Sequence, residues 1–437
     1  MRRGFIFSHN ICVNCNACNA ACILENGWNV HARNIYTYNS SAETILPVIN
    51  LSLACNHCES AVCMDGCPTS ALSRDEITGA IVINGEKCIG CRYCQWNCPY
   101  DAPKFDTESK TILKCNLCYS ELINGGSPAC STACPTGALS YGILTGPHST
   151  SYSWFPDKKL NPAIEFASEK NDNSLRIIPS GTFEHVDPET DPETKTVVPE
   201  MSLIIFSFLS TFSVATLISS FIEGKYPEKM TFIPVLVLTG LVSLFHLGHK
   251  VRSWRSISNF RTSPLSREII SFITYMILSF SATFLRIPFL LVISSVAGLA
   301  FMIMIDSVYI FSDKRKSVFF HSGQTFISAL LMISFFAGSL LPFIFIALIK
   351  LVSSIYSLVN KPVRYFFNLR FFRIALLFIT VMSMILSNLP KSFSVLFIFM
   401  VGELFDRILF YIDFNPLNIN TLIQKQINYV KDEKKRS

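Results

Sequence analysis

The most informative part of the sequence is Cys88-Ile-Gly-Cys91-Arg-Tyr-Cys94-Gln-Trp-Asn-Cys98-Pro99, whose spacing is C-x2-C-x2-C-x3-C-P. Three further groups of four cysteines have the same or a closely related spacing. They are Cys12, Cys15, Cys18 and Cys22; Cys55, Cys58, Cys63 and Cys67; and Cys115, Cys118, Cys130 and Cys134. All sixteen cysteines of the 437-residue protein therefore lie between positions 12 and 134.

These groups predict four 4Fe–4S clusters. A tight C-x2-C-x2-C loop wraps three corners of an iron–sulfur cubane, and the fourth cysteine of the run binds the other cluster of a pair. Gly66 and Gly90 would let the backbone approach a cluster closely. Zinc knuckles are the alternative, but they rarely show this run. The spacing and the absence of a signal-peptide pattern disfavour a disulfide-stapled secreted domain.

Exchange of the fourth cysteine pairs the middle motifs with each other and the outer motifs with each other. The predicted ligand sets are Cys55, Cys58, Cys63 with Cys98; Cys88, Cys91, Cys94 with Cys67; Cys12, Cys15, Cys18 with Cys134; and Cys115, Cys118, Cys130 with Cys22. This pattern predicts an α+β ferredoxin-like fold of two interleaved dicluster units. Ala80-Ile81-Val82-Ile83, followed by Asn84-Gly85, predicts a short strand and a turn.

Hydropathy divides the chain near residue 200. Eight apolar runs follow, each about the 20 residues that span a bilayer, and they predict an all-α transmembrane bundle of about eight helices. The runs are 203–222, 231–249, 269–286, 289–311, 319–339, 341–359, 371–389 and 393–412. The predicted organisation is a four-cluster domain over 1–146, an extended linker over 147–199, a membrane domain over 200–414 and a basic tail over 415–437.

Charge follows the same division. Residues 1–200 contain 14 Lys or Arg and 21 Asp or Glu, whereas residues 201–437 contain 23 and 10. In the predicted loops and the C-terminal tail, 17 Lys or Arg fall on the side that carries both termini and four on the other side. The positive-inside rule therefore predicts a multi-pass protein of the inner membrane with its cluster domain in the cytoplasm. An outward-facing, periplasmic domain exported with a partner is the alternative.

Ionisable residues within the apolar runs are functional candidates. His246 lies near the end of the second predicted helix, and Glu268 opens the third. Because quinol oxidation releases two protons, an imidazole and a carboxylate near the membrane interface suit that reaction. The other candidates are Asp306, Glu403, Asp406 and Arg407. A capping or pairing role is the structural alternative for His246, Glu268 and the charges of the eighth run.

Residues 4–146 resemble the electron-transfer subunit of dimethyl sulfoxide reductase-type molybdoenzymes. The resemblance rests on the stretches Asn10-Ile-Cys-Val-Asn-Cys-Asn-Ala-Cys18, Asn97-Cys-Pro-Tyr-Asp-Ala-Pro103, Lys114-Cys-Asn-Leu-Cys118 and Cys134-Pro-Thr-Gly-Ala-Leu139. The family's interleaved pairing agrees with the ligand sets above. The resemblance also implies a separate molybdopterin-containing catalytic subunit as the partner.

The apolar half resembles the quinol-oxidising membrane anchor of the same enzymes. The matching stretches are His246-Leu-Gly248, Leu265-Ser-Arg-Glu-Ile269 and Gly402-Glu-Leu-Phe-Asp-Arg-Ile-Leu-Phe-Tyr411. The resemblance implies that menaquinol or another quinone is bound at His246 and Glu268. Two departures are Lys250 after His249, where relatives often have proline, and the fusion of two usually separate polypeptides.

The sequence thus predicts an electron-transfer and membrane-anchor subunit that carries electrons from membrane quinol to a molybdopterin oxidoreductase. One alternative is reverse flow, from a dehydrogenase such as a formate oxidiser to quinone. Another is a non-catalytic assembly or tethering protein. Membrane lipid and quinone are expected partners, and nucleic acid is not.

Overall fold

A computed structural model describes residues 2–38, 48–145, 155, 159–167, 201–312, 324–360, 367–386 and 393–414. The chain divides into two compact units. The cysteine-rich unit comprises Met1–Thr190 with Pro416–Ser437, and the helical unit comprises Asp191–Asn415. The predicted tail 415–437 and most of the predicted linker 147–199 lie outside the described residues.

The cysteine-rich unit is built from short strands and short helices that alternate with the cysteine loops. A three-stranded sheet places β1 (Arg3–Phe7) between β8 (Leu139–Ile143), which is antiparallel to it, and β9 (Ile164–Phe166), which is parallel. Three antiparallel hairpins complete the strands: β2 (Asn34–Tyr38) with β3 (Ile49–Leu53), β4 (Leu72–Arg74) with β5 (Ile81–Ile83), and β6 (Lys104–Phe105) with β7 (Ile112–Leu113). The helices are α1 (Ala17–Asn26), α2 (Val62–Asp65), α3 (Tyr93–Asn97), α4 (Tyr119–Ile123) and α5 (Ala129–Thr132).

The strand predicted around residues 80–83 is confirmed as β5, which pairs with β4. The extended linker predicted for 147–199 needs a correction, because Ile164–Phe166 forms a strand against β1. Phe155, Ile164 and Phe166 are each 2 % exposed and pack in the core with Phe7. Composition concealed this strand, because its three residues lie in a polar, proline-rich segment and pair with a strand at the far end of the domain.

Within the described part of the helical unit, eight helices occupy the positions of the eight apolar runs. They are α6 (Met201–Ile222), α7 (Lys229–Ser243), α8 (Pro264–Leu285), α9 (Pro288–Ser312), α10 (Gln324–Phe336), α11 (Leu340–Asn360), α12 (Phe367–Leu386) and α13 (Phe393–Asp413). By length and composition, four of them can cross a membrane: α6, α8, α9 and, over Leu369–Leu386, α12. Helices α7 and α10, and α11 over Leu340–Ile355, are apolar but shorter, and α13 carries four charged residues.

Two helix boundaries differ from the apolar runs. Helix α7 ends at Ser243, so His246 lies beyond the helix rather than inside it. Helix α8 begins at Pro264, and Glu268 is therefore its fifth residue rather than its first. Ser263 caps α8 by accepting a hydrogen bond from the Ser266 N–H at 3.4 Å, and proline at the first helical position favours this start. Arg267 and Glu268 lower the local hydropathy, which placed the apolar run too late.

Helix α8 exposes large apolar residues and buries polar ones, the reverse of a helix in a water-soluble protein. Its exposed face carries large apolar residues at helical spacing: Ile270, Ile273, Ile277, Phe280 and Phe284. Its buried face carries the polar residues Glu268, Ser279 and Thr283 beside aromatic and small apolar ones. At the crossing with α9, a Cβ on Gly298 would lie 3.1 Å from Tyr275, so a small residue is needed there. This distribution suits a lipid environment.

Candidate functional site

The four cysteine loops share one backbone feature. The residue before the second cysteine of every motif has a positive φ. These residues are Asn14 (54°), His57 (42°), Gly90 (66°) and Leu117 (64°). Left-handed backbone is costly for leucine, so its recurrence at one loop position reflects a common requirement. Alternating right- and left-handed residues turn successive N–H groups toward an anion, which suits the sulfides of a cluster.

Gly66 has a different role from the one its sequence context indicated. Its φ is −74°, which any residue can adopt. A Cβ on this residue would lie only 2.2 Å from Asn97 Nδ2 and 3.1 Å from the Val62 carbonyl oxygen. The close approach is therefore to α2 and to the Asn97 side chain.

The thiols of the outer motifs lie in two groups. Burial, with smaller contributions from Cys18, Cys134 and Cys15, raises the pKa of Cys12. Burial also raises the pKa of Cys22 to about 11, with repulsion from Cys130 and Cys118 adding to it. Each fourth cysteine of an outer motif thus lies beside the other outer motif.

The inner motifs behave in the same way. Burial raises the pKa of Cys58, and Cys55, Cys98 and Cys63 add to the shift. Burial likewise raises the pKa of Cys94, with Cys91, Cys67, Cys63 and Cys88 as its electrostatic neighbours. Buried thiols of this kind hold their protons until a metal displaces them.

Some thiols have an electrostatic neighbour in a different cysteine group, and these pairs indicate which groups lie next to each other. Cys94 neighbours Cys63, so the set that contains Cys88 lies next to the set that contains Cys55. Cys115 has Cys55 among its neighbours, and Cys22 has Cys18. The sequence of groups is therefore the Cys88 set, the Cys55 set, the Cys115 set and the Cys12 set.

In the two motifs that end in Cys-Pro-Thr, the last sulfur atom accepts a hydrogen bond from a backbone N–H four or five residues later. The Ala71 N–H donates to Cys67 Sγ at 3.3 Å, and the Leu139 N–H donates to Cys134 Sγ at 3.4 Å. Strands β4 and β8 begin at Leu72 and Leu139. Each of these motifs is thus followed by a strand and by a backbone donor to its last cysteine.

Arg33 shows that this interior suits an anionic group. The residue is 2 % exposed, and its Nη1 donates to Ser52 Oγ at 3.0 Å. Its Nε and Nη2 are buried and have no hydrogen-bond partner among the described residues. The electrostatic neighbours of its guanidinium are the thiols Cys130, Cys115, Cys18 and Cys22. A cluster bound by these cysteines would supply the missing negative charge and acceptors.

No three His, Cys, Asp or Glu side chains of the described residues are grouped so as to hold one metal ion. A cubane does not require such a group, because each thiolate binds a different iron. The chemistry of the donor set, the loop geometry and the orphaned nitrogens of Arg33 all fit iron–sulfur clusters.

His246 and Glu268 lie at the connection between α7 and α8. His246 is half-buried three residues after the end of α7, and Glu268 is buried in the second turn of α8. The 3-10 helix Lys250–Ile257 packs against the start of α8, where Ser266 Oγ donates to the Ser256 carbonyl oxygen at 2.6 Å. The connection thus holds its 3-10 helix against the start of α8.

A network of buried charges joins α10, α11, α12 and α13. Lys350 Nζ lies 2.6 Å from Glu403 Oε2 and 2.8 Å from Asp406 Oδ2, and it also donates to Ser328 Oγ at 2.7 Å. Arg373 Nη2 lies 2.6 Å from Asp406 Oδ1. All five side chains are buried, so their charges balance one another inside the helical unit.

The network continues toward Glu268. The carboxylate of Asp306 accepts the backbone N–H groups of Thr325 at 3.1 Å and Phe326 at 3.0 Å, at the N-terminus of α10. Arg407 Nη1 donates to Thr325 Oγ1 at 2.8 Å, and Arg407 is an electrostatic neighbour of Asp306. Asp306 is in turn the electrostatic neighbour of Glu268. Asp306 is thus linked to Arg407 through Thr325, and Glu268 lies close enough to Asp306 for their charges to interact.

Sequence reasoning missed Lys350, Arg33 and the burial of Lys114. Lys350 was detectable, because a lone lysine stands in the middle of the apolar run 341–359. Arg373 was among the 17 Lys or Arg assigned to loops and the tail, although it lies in α12 and is 7 % exposed. No local pattern marks Arg33 or Lys114, because their burial depends on distant parts of the chain.

Comparison with known families agrees with this division of the chain. Residues 47–144 match the 4Fe-4S dicluster domain, and residues 195–360 match the DMSO reductase anchor subunit (DmsC). The two matches fall in the cysteine-rich part and in the helical part of the protein.

Individual relatives match about a third of the protein. An anaerobic dimethyl sulfoxide reductase subunit of Haemophilus influenzae is 38 % identical over 152 residues, which cover 32 % of this protein and 74 % of the relative. YnfG of Escherichia coli K12, named as a probable anaerobic dimethyl sulfoxide reductase subunit, is 36 % identical over 151 residues, covering 32 % and 73 %. Protein NrfC of the same strain is 34 % identical over 153 residues, covering 34 % and 69 %.

Proposed function

Because this protein belongs to the dimethyl sulfoxide reductase iron–sulfur subunit family, with an anchor domain of the same enzyme's type fused behind it, we propose that it carries electrons from membrane quinol to a separate molybdopterin-containing subunit. The observation that carries the proposal is the ordered series of thiol groups in a polypeptide that also contains a DmsC-type domain. Relatives named as reductase subunits support a catalytic partner.

Sixteen cysteines would hold four 4Fe–4S clusters in the sets predicted from their spacing. The thiol neighbours support each set, and the positive φ before each second cysteine supports a common loop around each cluster. When bound, the clusters supply one-electron carriers over the length of the unit. The residues of the protein hold them, bury them and place Arg33 and the backbone N–H groups toward their sulfur atoms.

The quinol would be oxidised beside His246 and Glu268. Oxidation releases two electrons and two protons, and an imidazole and a carboxylate can accept the protons. Helix α7 has 15 residues and spans about 22 Å at 1.5 Å per residue, less than the roughly 30 Å of a hydrocarbon core. The regular helix ends at Ser243, shortly before His246. Non-helical backbone at membrane depth is tolerated where it lines a cavity. This supports a binding site at that connection.

All eight helices would cross the inner membrane, with the cysteine-rich unit on the cytoplasmic side. The buried polar face of α8 and the charge-balanced network of α10–α13 support helix packing within lipid. The excess of Lys and Arg in the loops on the side of both termini supports the orientation. Protease treatment of intact spheroplasts tests it, because a cytoplasmic domain stays uncut until the cells are opened.

The partner is tested by purification from the native membrane in mild detergent. We expect a molybdopterin-containing protein to copurify, with molybdenum or tungsten detected by elemental analysis and about four iron atoms per proposed cluster. A preparation that carries iron but no such subunit would contradict the proposed partner. A preparation without iron would contradict the cluster assignment itself.

The quinol site is tested by single substitutions in the intact complex. His246→Ala and Glu268→Gln should each slow reduction of the clusters by a menaquinol analogue by about 10²–10⁴-fold, the usual contribution of a positioned proton-transfer group. His249→Ala, in the same connection, and Glu228→Gln, before α7, are the matched controls and should behave as the wild type. Equal rates for variants and controls would remove these two residues from the site.

A further inference from the structure

Lys114 is a buried lysine in contact with a proposed cluster ligand. It is 1 % exposed. Its Nζ donates to Cys55 Sγ at 3.6 Å, to the Cys115 carbonyl oxygen at 2.9 Å and to the Ile81 carbonyl oxygen. It is also an electrostatic neighbour of Cys63. The ammonium group therefore touches one proposed ligand set through sulfur and the next one through the backbone.

Lys87 occupies the equivalent position of another motif, but its surroundings differ from those of Lys114. Each lysine directly precedes the first cysteine of its motif, in Lys87-Cys88-Ile-Gly-Cys91 and in Lys114-Cys115-Asn-Leu-Cys118. Lys87 is exposed, whereas Lys114 is buried. The local sequence is thus matched, and the surroundings of the ammonium group differ.

The buried ammonium has no carboxylate partner among the described residues. Its acceptors are two carbonyl oxygens and one sulfur. A buried charge without a counter-charge is strongly disfavoured. The negative charge that suits this site is the one that Cys55 and Cys63 would carry as iron-bound thiolates.

Lys114 also stands where the inner and outer pairs of motifs meet. Cys55 belongs to the inner pair, Cys115 belongs to the outer pair, and the two thiols are electrostatic neighbours. An electron that travels along the proposed series has to pass between these two sets. A cation at this position acts on the step that joins the two ferredoxin-like units.

We propose that Lys114 raises the reduction potential of the cluster held by Cys55, Cys58, Cys63 and Cys98, and so keeps the junction between the two cluster pairs reducible. The proposal rests on the cluster assignment of the proposed function. Reduction adds one electron and therefore one negative charge to a cluster. A nearby cation and a hydrogen bond to a ligand sulfur both stabilise the reduced form.

The test is a redox titration of the intact complex followed by electron paramagnetic resonance, together with an iron count. Lys114→Met removes the charge at nearly constant volume, Lys114→Gln removes the charge but keeps a donor, and Lys114→Arg keeps the charge. We expect a more negative midpoint for one cluster in the Met and Gln variants and a midpoint close to the wild type in the Arg variant. Lys87→Met is the matched control and should leave every midpoint unchanged.

Each outcome decides between the possibilities. A full iron content with no midpoint change in Lys114→Met, or the same change in Lys87→Met, overturns the proposal. Loss of one cluster from both uncharged variants, with retention in Lys114→Arg, also overturns it, because Lys114 would then act in assembly. If the wild-type complex contains no iron and gives no cluster signals, the proposed function fails before this inference is reached.

Discussion

In the helical unit, the buried cations Lys350 and Arg373 lie beside carboxylates. In the cysteine-rich unit, the buried cations Arg33 and Lys114 do not. Lys350 and Arg373 are each within 2.8 Å of a carboxylate oxygen. Arg33 and Lys114 are equally buried, but among the described residues their hydrogen-bond partners are a hydroxyl, carbonyl oxygens and thiol sulfur.

The difference indicates where each unit obtains its negative charge. The helical unit contains its own counter-charges, so its buried network holds helices together without a ligand. The cysteine-rich unit has cations that its described residues do not neutralise. Its stability should therefore depend on the charge of the bound clusters.

The largest expected effect is that of iron removal. Chelation under conditions that destroy the clusters should abolish most hydrogen-exchange protection in the cysteine-rich unit and leave that of α6–α13 intact. Metal-binding free energy is folding free energy in small metal domains, on the order of 10 kcal/mol for a structural zinc site. Hydrogen exchange measured by mass spectrometry in detergent separates the two units.

Lys114→Met tests this dependence on cluster charge, because its effect on hydrogen-exchange protection should be opposite with and without iron. With iron bound, the variant should be less protected than the wild type, because a cation beside a negative cluster is lost. Without iron, the variant should be more protected, because a buried charge without a partner is lost. The same change in both states would contradict the idea that the clusters neutralise Lys114.

The second effect is confined to the helical unit. Lys350→Met should destabilise it by about 3–5 kcal/mol, because Glu403 is left as a buried carboxylate without its cation. Iron content should not change. Thermal unfolding in detergent, followed by circular dichroism, measures the loss.

A compensating change sharpens this second prediction. Adding Glu403→Gln to Lys350→Met should restore much of the stability, because Asp406 still pairs with Arg373 at 2.6 Å. Lys225→Met is the control, because its pair with Glu223 lies at the surface and such pairs contribute little. A double variant no more stable than Lys350→Met would argue against electrostatic balance.

The contrast between the units also shows what a sequence can predict. The cysteine loops and the apolar runs could be predicted from the sequence, because both depend on spacing along the chain. The start of α8 was missed, because hydropathy alone moved it to residue 269, although the local pair Ser263-Pro264 could have indicated it. These features are set by residues within one or two turns of each other.

Packing between distant parts of the chain could not be predicted from the sequence. Lys87 and Lys114 have the same local motif, yet only Lys114 is buried, because Ile81 and Cys55 cover it from other parts of the chain. Strand β9 was missed for the same reason, since it pairs with β1 across more than 150 residues of sequence. Lys350 could have been singled out, but its partners on α13 could not.

The smallest expected effect compares two hydroxyl groups that accept from buried guanidinium groups. In the iron-loaded protein, Ser52→Ala should cost about 1 kcal/mol, because Arg33 loses the Ser52 hydroxyl but would keep cluster sulfur as the acceptor for Nε and Nη2. Thr325→Val should also cost about 1 kcal/mol, because Arg407 keeps the Gln324 carbonyl oxygen at 3.0 Å. Hydrogen exchange in each unit measures the two losses. A loss for Ser52→Ala well above that for Thr325→Val would mean that Arg33 does not donate to cluster sulfur, which would make the cluster its counter-charge but not its hydrogen-bond partner.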